Sequence, residues 1–536
     1  RLRRRSSAAS AAPDPSGPGG IAPPPPGSRD RHSMSQLSRL EIVIAGGGTA
    51  GWVAAATFAR FLDNRASITL VESDEIGTVG VGEATIPQIH NLIIGLGLDQ
   101  AEFVRRTNAT FKLGIEFDGW TGQGRSYMHS FGQTGRQVGL IPFRQLWLRG
   151  RSLGVAQEFG AYGFNIAAAR LGRMATNTAS NTVPELIYAY HFDASLFAKM
   201  LRDYAEERGV RRVEGRILDV ERDGEDGDVT ALTLNGERRV QGTFFIDCTG
   251  FRSLLVGKTL DVPYLDWSRW LPCDSALAVA CKSSDAFRPY TQALSRPSGW
   301  QWRIPLQHRT GNGHVYCSKF MSDDEAASTL LANLDGAPLG DPRPIRFTSG
   351  RREKFWSHNC LALGLAAGFM EPLESTAIHL VQSALGRFLN LLPGDLSRTD
   401  SARDYFNRLS TIEWARVRDF IALHYFANER EGEFWELCRN MELPDTLLEK
   451  ISLFREAGLV IREDEELFLD DSWGQVMIGQ GIMPESWSPL ADNVPGEDIG
   501  PFLDSVAKSY RVKTKSLPTH RQFVASLVGD KVKEHQ

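Results

Sequence analysis

Leu40-Glu-Ile-Val-Ile-Ala-Gly46-Gly-Gly48-Thr-Ala-Gly51-Trp52 is the stretch on which the fold turns. Its first six residues, Leu40–Ala45, form a short β-rich run. Gly46, Gly48 and Gly51 follow in GxGxxG spacing, and Trp52–Phe61 continues with a helical pattern. A second strand, Ser67–Val71, ends at Glu72. Strand, glycine turn, helix, strand and acidic residue in this order form a dinucleotide fingerprint. The glycines let the backbone approach a pyrophosphate at a helix N-terminus, and Glu72 can accept from a ribose hydroxyl. Gly46, Gly48, Thr49, Ala50, Gly51 and Glu72 are therefore the first candidate cofactor contacts.

Composition narrows what such a chain can be. With 536 residues it can build a large core, and 42% apolar with 23% charged residues is ordinary for a globular protein. The net charge of -5 argues against nucleic acid as a partner. No apolar run approaches the roughly 20 residues that span a bilayer, so no membrane partner is expected. Cys248, Cys273, Cys281, Cys317, Cys360 and Cys438 are scattered without CxxC or metal-ligand spacing. They read as reduced, packed residues of a cytoplasmic protein, with no metal site.

Residues 1–38 stand apart. Arg1–Arg5 is basic, and Ser6–Ser28 is rich in Ala, Ser, Gly and Pro, so a disordered extension is expected. Met34 just precedes the first strand pattern, which favours an upstream translated or cloning-derived extension over a transit-type leader. The remainder divides into a core over 39–395 and a helical region over 396–536. Ser401–Leu443 and Ala491–Val528 show helical periodicity rich in Phe, Trp and Leu, expected to close over a substrate pocket.

Beyond the fingerprint, Ala367–Ile378 (Ala-Gly-Phe-Met-Glu-Pro-Leu-Glu-Ser-Thr-Ala-Ile) carries the most chemistry. Glu371, Glu374, Ser375 and Thr376 sit just ahead of an apolar helical pattern, and a hydroxyl there signals a helix N-terminus. The free N–H groups and positive dipole end of that helix would hold an anion beside a carboxylate base. Val79–Pro87 (Val-Gly-Val-Gly-Glu-Ala-Thr-Ile-Pro) reads as a loop pressing backbone against a ligand, with Gly82, Glu83, Ala84 and Thr85 as contacts. In Thr110–Phe117 the alternation of Phe111, Leu113, Ile115 and Phe117 with Lys112, Gly114 and Glu116 predicts a half-buried strand, and on pattern alone Lys112 is a solvated lysine. Trp300 and Trp302 point to one face of a strand, as a bulky core or the wall of an aromatic pocket.

Two later segments favour FAD over NAD. Thr243–Gly250, after the hairpin-like Val210–Val240, and Asn359–Gly368, with Gly364 at its turn, resemble segments that return to FAD in flavoprotein hydroxylases. Leu365 follows Gly364 where those hydroxylases usually carry Asp. No second GxGxxG provides a nicotinamide site, so reduced flavin is expected from a separate flavin reductase. Together, Gly46-Gly-Gly-Thr-Ala-Gly-Trp52, Gly82-Glu-Ala-Thr-Ile-Pro87, Trp300-Gln-Trp302-Arg-Ile-Pro305 and Glu371-Pro-Leu-Glu-Ser-Thr376 resemble the flavin-dependent tryptophan halogenase family. The resemblance runs from Leu40 to about Arg521.

It implies an α/β fold: a GxGxxG FAD-binding, flavoprotein-monooxygenase-like module with a substrate-binding, largely helical C-terminal lobe. It also implies that FADH2 and O2 oxidise chloride or bromide, held near the N–H groups of Thr376 and Ala377, to hypohalous acid. A tunnel would carry this oxidant to Lys112, where it halogenates an electron-rich aromatic with help from Glu374. Trp300 and Trp302 would keep organic substrate off the flavin. His129 and Phe131, in His129-Ser-Phe131-Gly, would flank the substrate ring, and Trp473 would form a second wall. The family often forms homodimers. Free-tryptophan members place tyrosines and a glutamate ahead of that Trp, whereas Ile461–Ser472 has no tyrosine and Phe468 stands near the acidic position. Indole, a substituted indole or another electron-rich ring is the expected substrate, in a pocket opened by the less aromatic Gln475–Gly481 segment. The competing readings are a flavin-dependent aromatic hydroxylase and a catalytically inactive flavin-binding protein.

Overall fold

The structure is a computed structural model describing residues 40–75, 82–283, 287–393, 399–463 and 465–529. The extension at residues 1–38 and Val79–Val81 of the glycine loop lie outside the described residues. All described residues fall in one compact unit.

The fingerprint folds as its sequence dictates. Leu40–Ala45 pairs in parallel with Ala66–Glu72 on one side and Phe244–Asp247 on the other. The sheet runs Trp356–Ser357, Cys360–Ala362, Phe244–Asp247, Leu40–Ala45, Ala66–Glu72, Arg211–Glu214. Its central strands are buried apolar runs, as expected of parallel strands covered on both faces. The Val210–Val240 region includes strands of a small antiparallel sheet, Ile217–Arg222 with Val229–Leu234 and Arg239–Gln241.

A second, seven-stranded sheet includes Gly299–Pro305, Thr291–Arg296, Gly114–Asp118 and Ser126–Ser130. The segment expected as one strand over Thr110–Phe117 divides at Leu113. Thr110–Lys112 pairs with Ala189–Asp193 in a separate sheet, while Gly114–Asp118 joins the large one. Gly114 permits the crossing, since a β-carbon there would lie 2.5 Å from the His129 carbonyl oxygen. This break turns Lys112 inward, so it is fully buried and not solvated.

Two helices position the chemistry. Ala377–Leu391 is anchored by Phe388, whose ring meets Phe244 and Trp356 at 5.0 Å and Phe58 at 5.9 Å. Asp400–Phe426 buries Phe406, Ser410, Glu413, Trp414, Val417, Phe420 and His424 at helical spacing along one face. The expected helices of the C-terminal region are present, ending with Gly496–Ser516 and His520–Val528. Among the described residues no helix is long and apolar enough to cross a membrane. All six cysteines are unpaired.

Candidate active site

A cavity of about 750 Å³ opens at the ends of the parallel strands. Gly46, Gly48, Thr49, Ala50 and Glu72 line it, with Gly82, Glu83, Ala84, Thr249, Gly250, Gly364, Thr376 and Ala377. The two later segments that sequence linked to the cofactor do return to it. Gly46 has φ +110°, and a β-carbon would meet the Cys248 carbonyl at 2.2 Å. Gly48 has an ordinary φ of -70°, and a β-carbon there meets nothing within 4 Å. That open space is the cavity, so the glycine loop leaves the room at the helix start that a pyrophosphate would need. The residues fit a dinucleotide.

Several expected contacts are placed elsewhere. Gly51 does not line the cavity: its α-carbon packs against the Gly46 carbonyl, where a β-carbon would come within 1.9 Å. The Thr85 hydroxyl donates to the Tyr190 carbonyl at 2.8 Å, which turns it from the cavity towards the sheet. Glu72 accepts from the Arg212 guanidinium at 2.5 Å while still lining the cavity. Burial raises the Glu83 carboxyl to about 7. Of the tryptophan pair, Trp302 lines the cavity, whereas Trp300 lies behind it and donates to Glu371 at 2.5 Å.

The Ala377–Leu391 helix begins at the cavity, but its cap differs from the sequence reading. Thr376 has helical backbone angles and its side chain caps nothing. Ser375 is in the left-handed region, φ +60°, after the turn Pro372–Glu374. Its hydroxyl accepts from Lys112 Nζ at 2.8 Å, and the Thr85 carbonyl accepts from the same nitrogen at 3.0 Å. Ser375 also lines the cavity, so one residue touches both the dinucleotide space and the lysine. Lys112 Nζ lies 5.1 Å from the Phe131 ring centroid.

Glu374 is fully buried, and its carboxylate is held between two imidazoles. His129 Nδ1 is 2.8 Å from Oε2, and His424 Nε2 is 2.8 Å from Oε1. Since a carboxylate only accepts, the facing nitrogens must carry protons. His424 Nδ1 then accepts from the Tyr127 hydroxyl at 2.7 Å. Burial opposes the Glu374 charge, but the imidazoles overcome it and hold the carboxyl down at about 2. Burial lowers Lys112 to about 7, offset in part by the Glu374 charge. A carboxylate held ionised by two imidazoles and an amine lowered by burial are thus both fully buried and coupled by charge.

Sequence reasoning missed His424, Tyr127 and Phe420. The spacing of Phe420 and His424 on one helix face was the available signal. Phe131 lies beside Lys112, His129 bonds Glu374, and Trp473 packs with Phe420 and Phe468 in an aromatic cluster. Phe468 stacks on Phe420 at 3.8 Å, and Trp473 meets Phe420 edge-on at 4.7 Å. Glu371, behind this centre, is raised to about 7 by burial, offset in part by bonds from Tyr425 and Trp300.

A family model described as tryptophan halogenase matches residues 41–496. The chain belongs to the tryptophan halogenase family. It is 34% identical to tryptophan 7-halogenase RebH of Lentzea aerocolonigenes, over 91% of this chain and 99% of that protein. Among solved structures it resembles Xcc4156, a flavin-dependent halogenase from Xanthomonas campestris, with TM-score 0.88 and 46% identity, over 91% of this chain and 99% of that one. It also resembles BrvH, a flavin-dependent halogenase from Brevundimonas sp. BAL3, with TM-score 0.87 and 41% identity, over 92% and 100% of the two chains. The protein is therefore an enzyme, a flavin-dependent halogenase.

For this halogenase the glycine cradle makes a direct prediction. Gly48→Val keeps an allowed backbone, its β-carbon meets nothing within 4 Å, and its side chain fills cavity space. Flavin affinity, measured by quenching of flavin fluorescence, is expected to fall by at least about tenfold, or about 1.4 kcal/mol. The melting transition should shift by no more than a surface substitution would cause. Unchanged flavin affinity would place the dinucleotide elsewhere.

Proposed function

We propose that the enzyme halogenates indole or an indole derivative with chloride or bromide, using reduced FAD and oxygen. The observation that carries this reading is Ser375, which lines the cavity and bonds Lys112 Nζ at 2.8 Å. When bound, reduced FAD supplies the oxygen activation that converts halide to hypohalous acid. Gly46, Gly48, Thr49, Ala50, Glu72, Gly82, Glu83, Ala84 and Gly364 would hold it, with Trp302 walling off organic substrate. The sequence carries one GxGxxG, which supports reduction by a separate flavin reductase.

The chain's own residues then divide the work. The backbone at Thr376 and Ala377 opens a 15-residue helix onto the cavity, a setting that attracts halide. Lys112, buried beyond Ser375, receives the electrophilic halogen and presents it to the ring carbon. Its depressed pKa leaves a substantial amine fraction near neutrality, which suits a nucleophile taking up halogen. Glu374 stays ionised and offers the negative charge that helps remove the ring proton. His129, Phe131 and Trp473 bound the substrate end.

Free tryptophan fits poorly. The segment ahead of Trp473 places Phe468 against Phe420, an apolar contact that offers nothing to an amino acid's charged groups.

Products formed from indole with FAD, a generic flavin reductase, NADH and bromide test the reading by mass spectrometry. Monobromoindole is expected. A product gaining oxygen alone would identify a hydroxylase, and absence of product from indole and from other electron-rich aromatics would favour an inactive flavin-binding protein.

A further inference from the structure

Phe468 is buried in the main core, and the character of its neighbours sets it apart. Its ring lies on Phe420 at 3.8 Å and 17°, a close parallel stack. Trp473 closes one side, edge-on to Phe420 at 4.7 Å, and His129 lies 5.3 Å from Phe420 and 6.0 Å from Phe468. The surroundings are polar where a core would be saturated. His129 Nε2 and Trp473 Nε1 are both buried without a hydrogen-bond partner. Buried ring nitrogens are normally satisfied, and two orphans beside one phenyl ring indicate a slot shaped for a ring with polar atoms of its own. The other nitrogen of His129 holds Glu374, so the slot adjoins the charged centre.

We propose that Phe468 is a resident plug and specificity residue: it fills the slot in the free enzyme, and a planar heteroaromatic substrate displaces it to stack on Phe420. The proposal rests on the halogenation reading and names the selecting residue within it. Substrate must break the Phe468–Phe420 stack, so affinity is lowered by the strength of that contact. A flat ring regains the stack, and a ring N–H such as indole's can donate to His129 Nε2, the acceptor left when Nδ1–H donates to Glu374. A substrate lacking a flat ring can do neither, which makes the plug a filter for ring shape.

Indole binding by the FAD-loaded full-length enzyme, followed by calorimetry across variants at position 468, tests this. Phe468→Ala should tighten indole about fivefold, Phe468→Leu by less, and Phe468→Trp should weaken it about tenfold. FAD affinity should hold throughout. A merely structural role predicts the opposite for alanine, because a core cavity loosens the site. Should Phe468→Ala not fold, the order Leu tighter than Phe tighter than Trp still decides. Affinity that ignores residue 468, or falls on truncation with FAD affinity intact, overturns the plug. A parent that brominates indole while ignoring residue 468 keeps the functional reading and loses this one. If no variant binds or brominates indole, both fail.

Discussion

Lys112→Ala is expected to lower aromatic halogenation on the order of a thousandfold, equivalent to about 4 kcal/mol of barrier, while bromide-dependent oxidant continues to form. The geometry separates the two outcomes. Lys112 does not line the dinucleotide cavity, and its contact with that space runs through the Ser375 hydroxyl at 2.8 Å, while the Thr85 carbonyl at 3.0 Å holds it from the far side. Removing the amine leaves the glycine cradle and the start of the Ala377–Leu391 helix intact. Oxidant would then escape to a small-molecule trap in solution, and bromoindole would vanish from the product mixture. Regioselective bromination surviving the substitution would sink the role assigned to Lys112.

The same amine sets a pH dependence. Burial lowers Lys112 to about 7, and Glu374 raises it only in part. Below that value the side chain is ammonium, and above it free amine. If the amine takes up halogen, the single-turnover transfer rate rises about tenfold per unit up to about pH 7 and then levels. A rate that falls through the same range would assign the step to the ammonium.

The dinucleotide scaffold was legible because its signals are local. A strand, three glycines at fixed spacing and an acidic residue some twenty positions on specify one supersecondary unit without help from the rest of the chain. The start of the Ala377–Leu391 helix was legible for the same reason, although its cap was not. The left-handed Ser375 after a proline turn sends the hydroxyl to Lys112 instead of to the helix. What local pattern could not convey is which face a residue meets. Alternation across Thr110–Phe117 predicted a solvated Lys112, because nothing local marks the handover between two sheets at Leu113. The partners of Glu374 are remote in the same sense. His129 is 245 residues away along the chain, and Tyr127 reaches His424 across 297. Likewise the composition of Gln475–Gly481 carries no signal of the Phe468–Phe420 stack, which joins two other segments.

Glu374→Gln is expected to cost two to three orders of magnitude in halogenation, roughly 3–4 kcal/mol of barrier, for reasons that reach past the lost charge. The carboxylate accepts from both His129 Nδ1 and His424 Nε2 at 2.8 Å. A glutamine offers one acceptor oxygen and turns an N–H donor on the other imidazole. If His424 changes tautomer to accept it, Nδ1 becomes a donor and the Tyr127 hydroxyl, now 2.7 Å away, loses its acceptor. The arrangement that escapes this turns the amide N–H to His129, whose proton then moves to the unpartnered Nε2 and leaves a buried donor without an acceptor. Lys112 responds as well, because the Glu374 charge supports its protonation. In the variant its pKa should drop further below the ordinary lysine value, moving the acid limb of the transfer rate to lower pH. Acid stability gives an independent readout. Glu374 is lowered from 4.5 to about 2 in the folded state, so it stabilises the protein above about pH 4.5 and loses that contribution as pH falls towards 2. Denaturant titrations across that window should show a weaker pH dependence in Glu374→Gln than in the parent. An unchanged acid limb together with parent-like acid sensitivity would mean that Glu374 is not the buried charge coupling Lys112 to the two imidazoles.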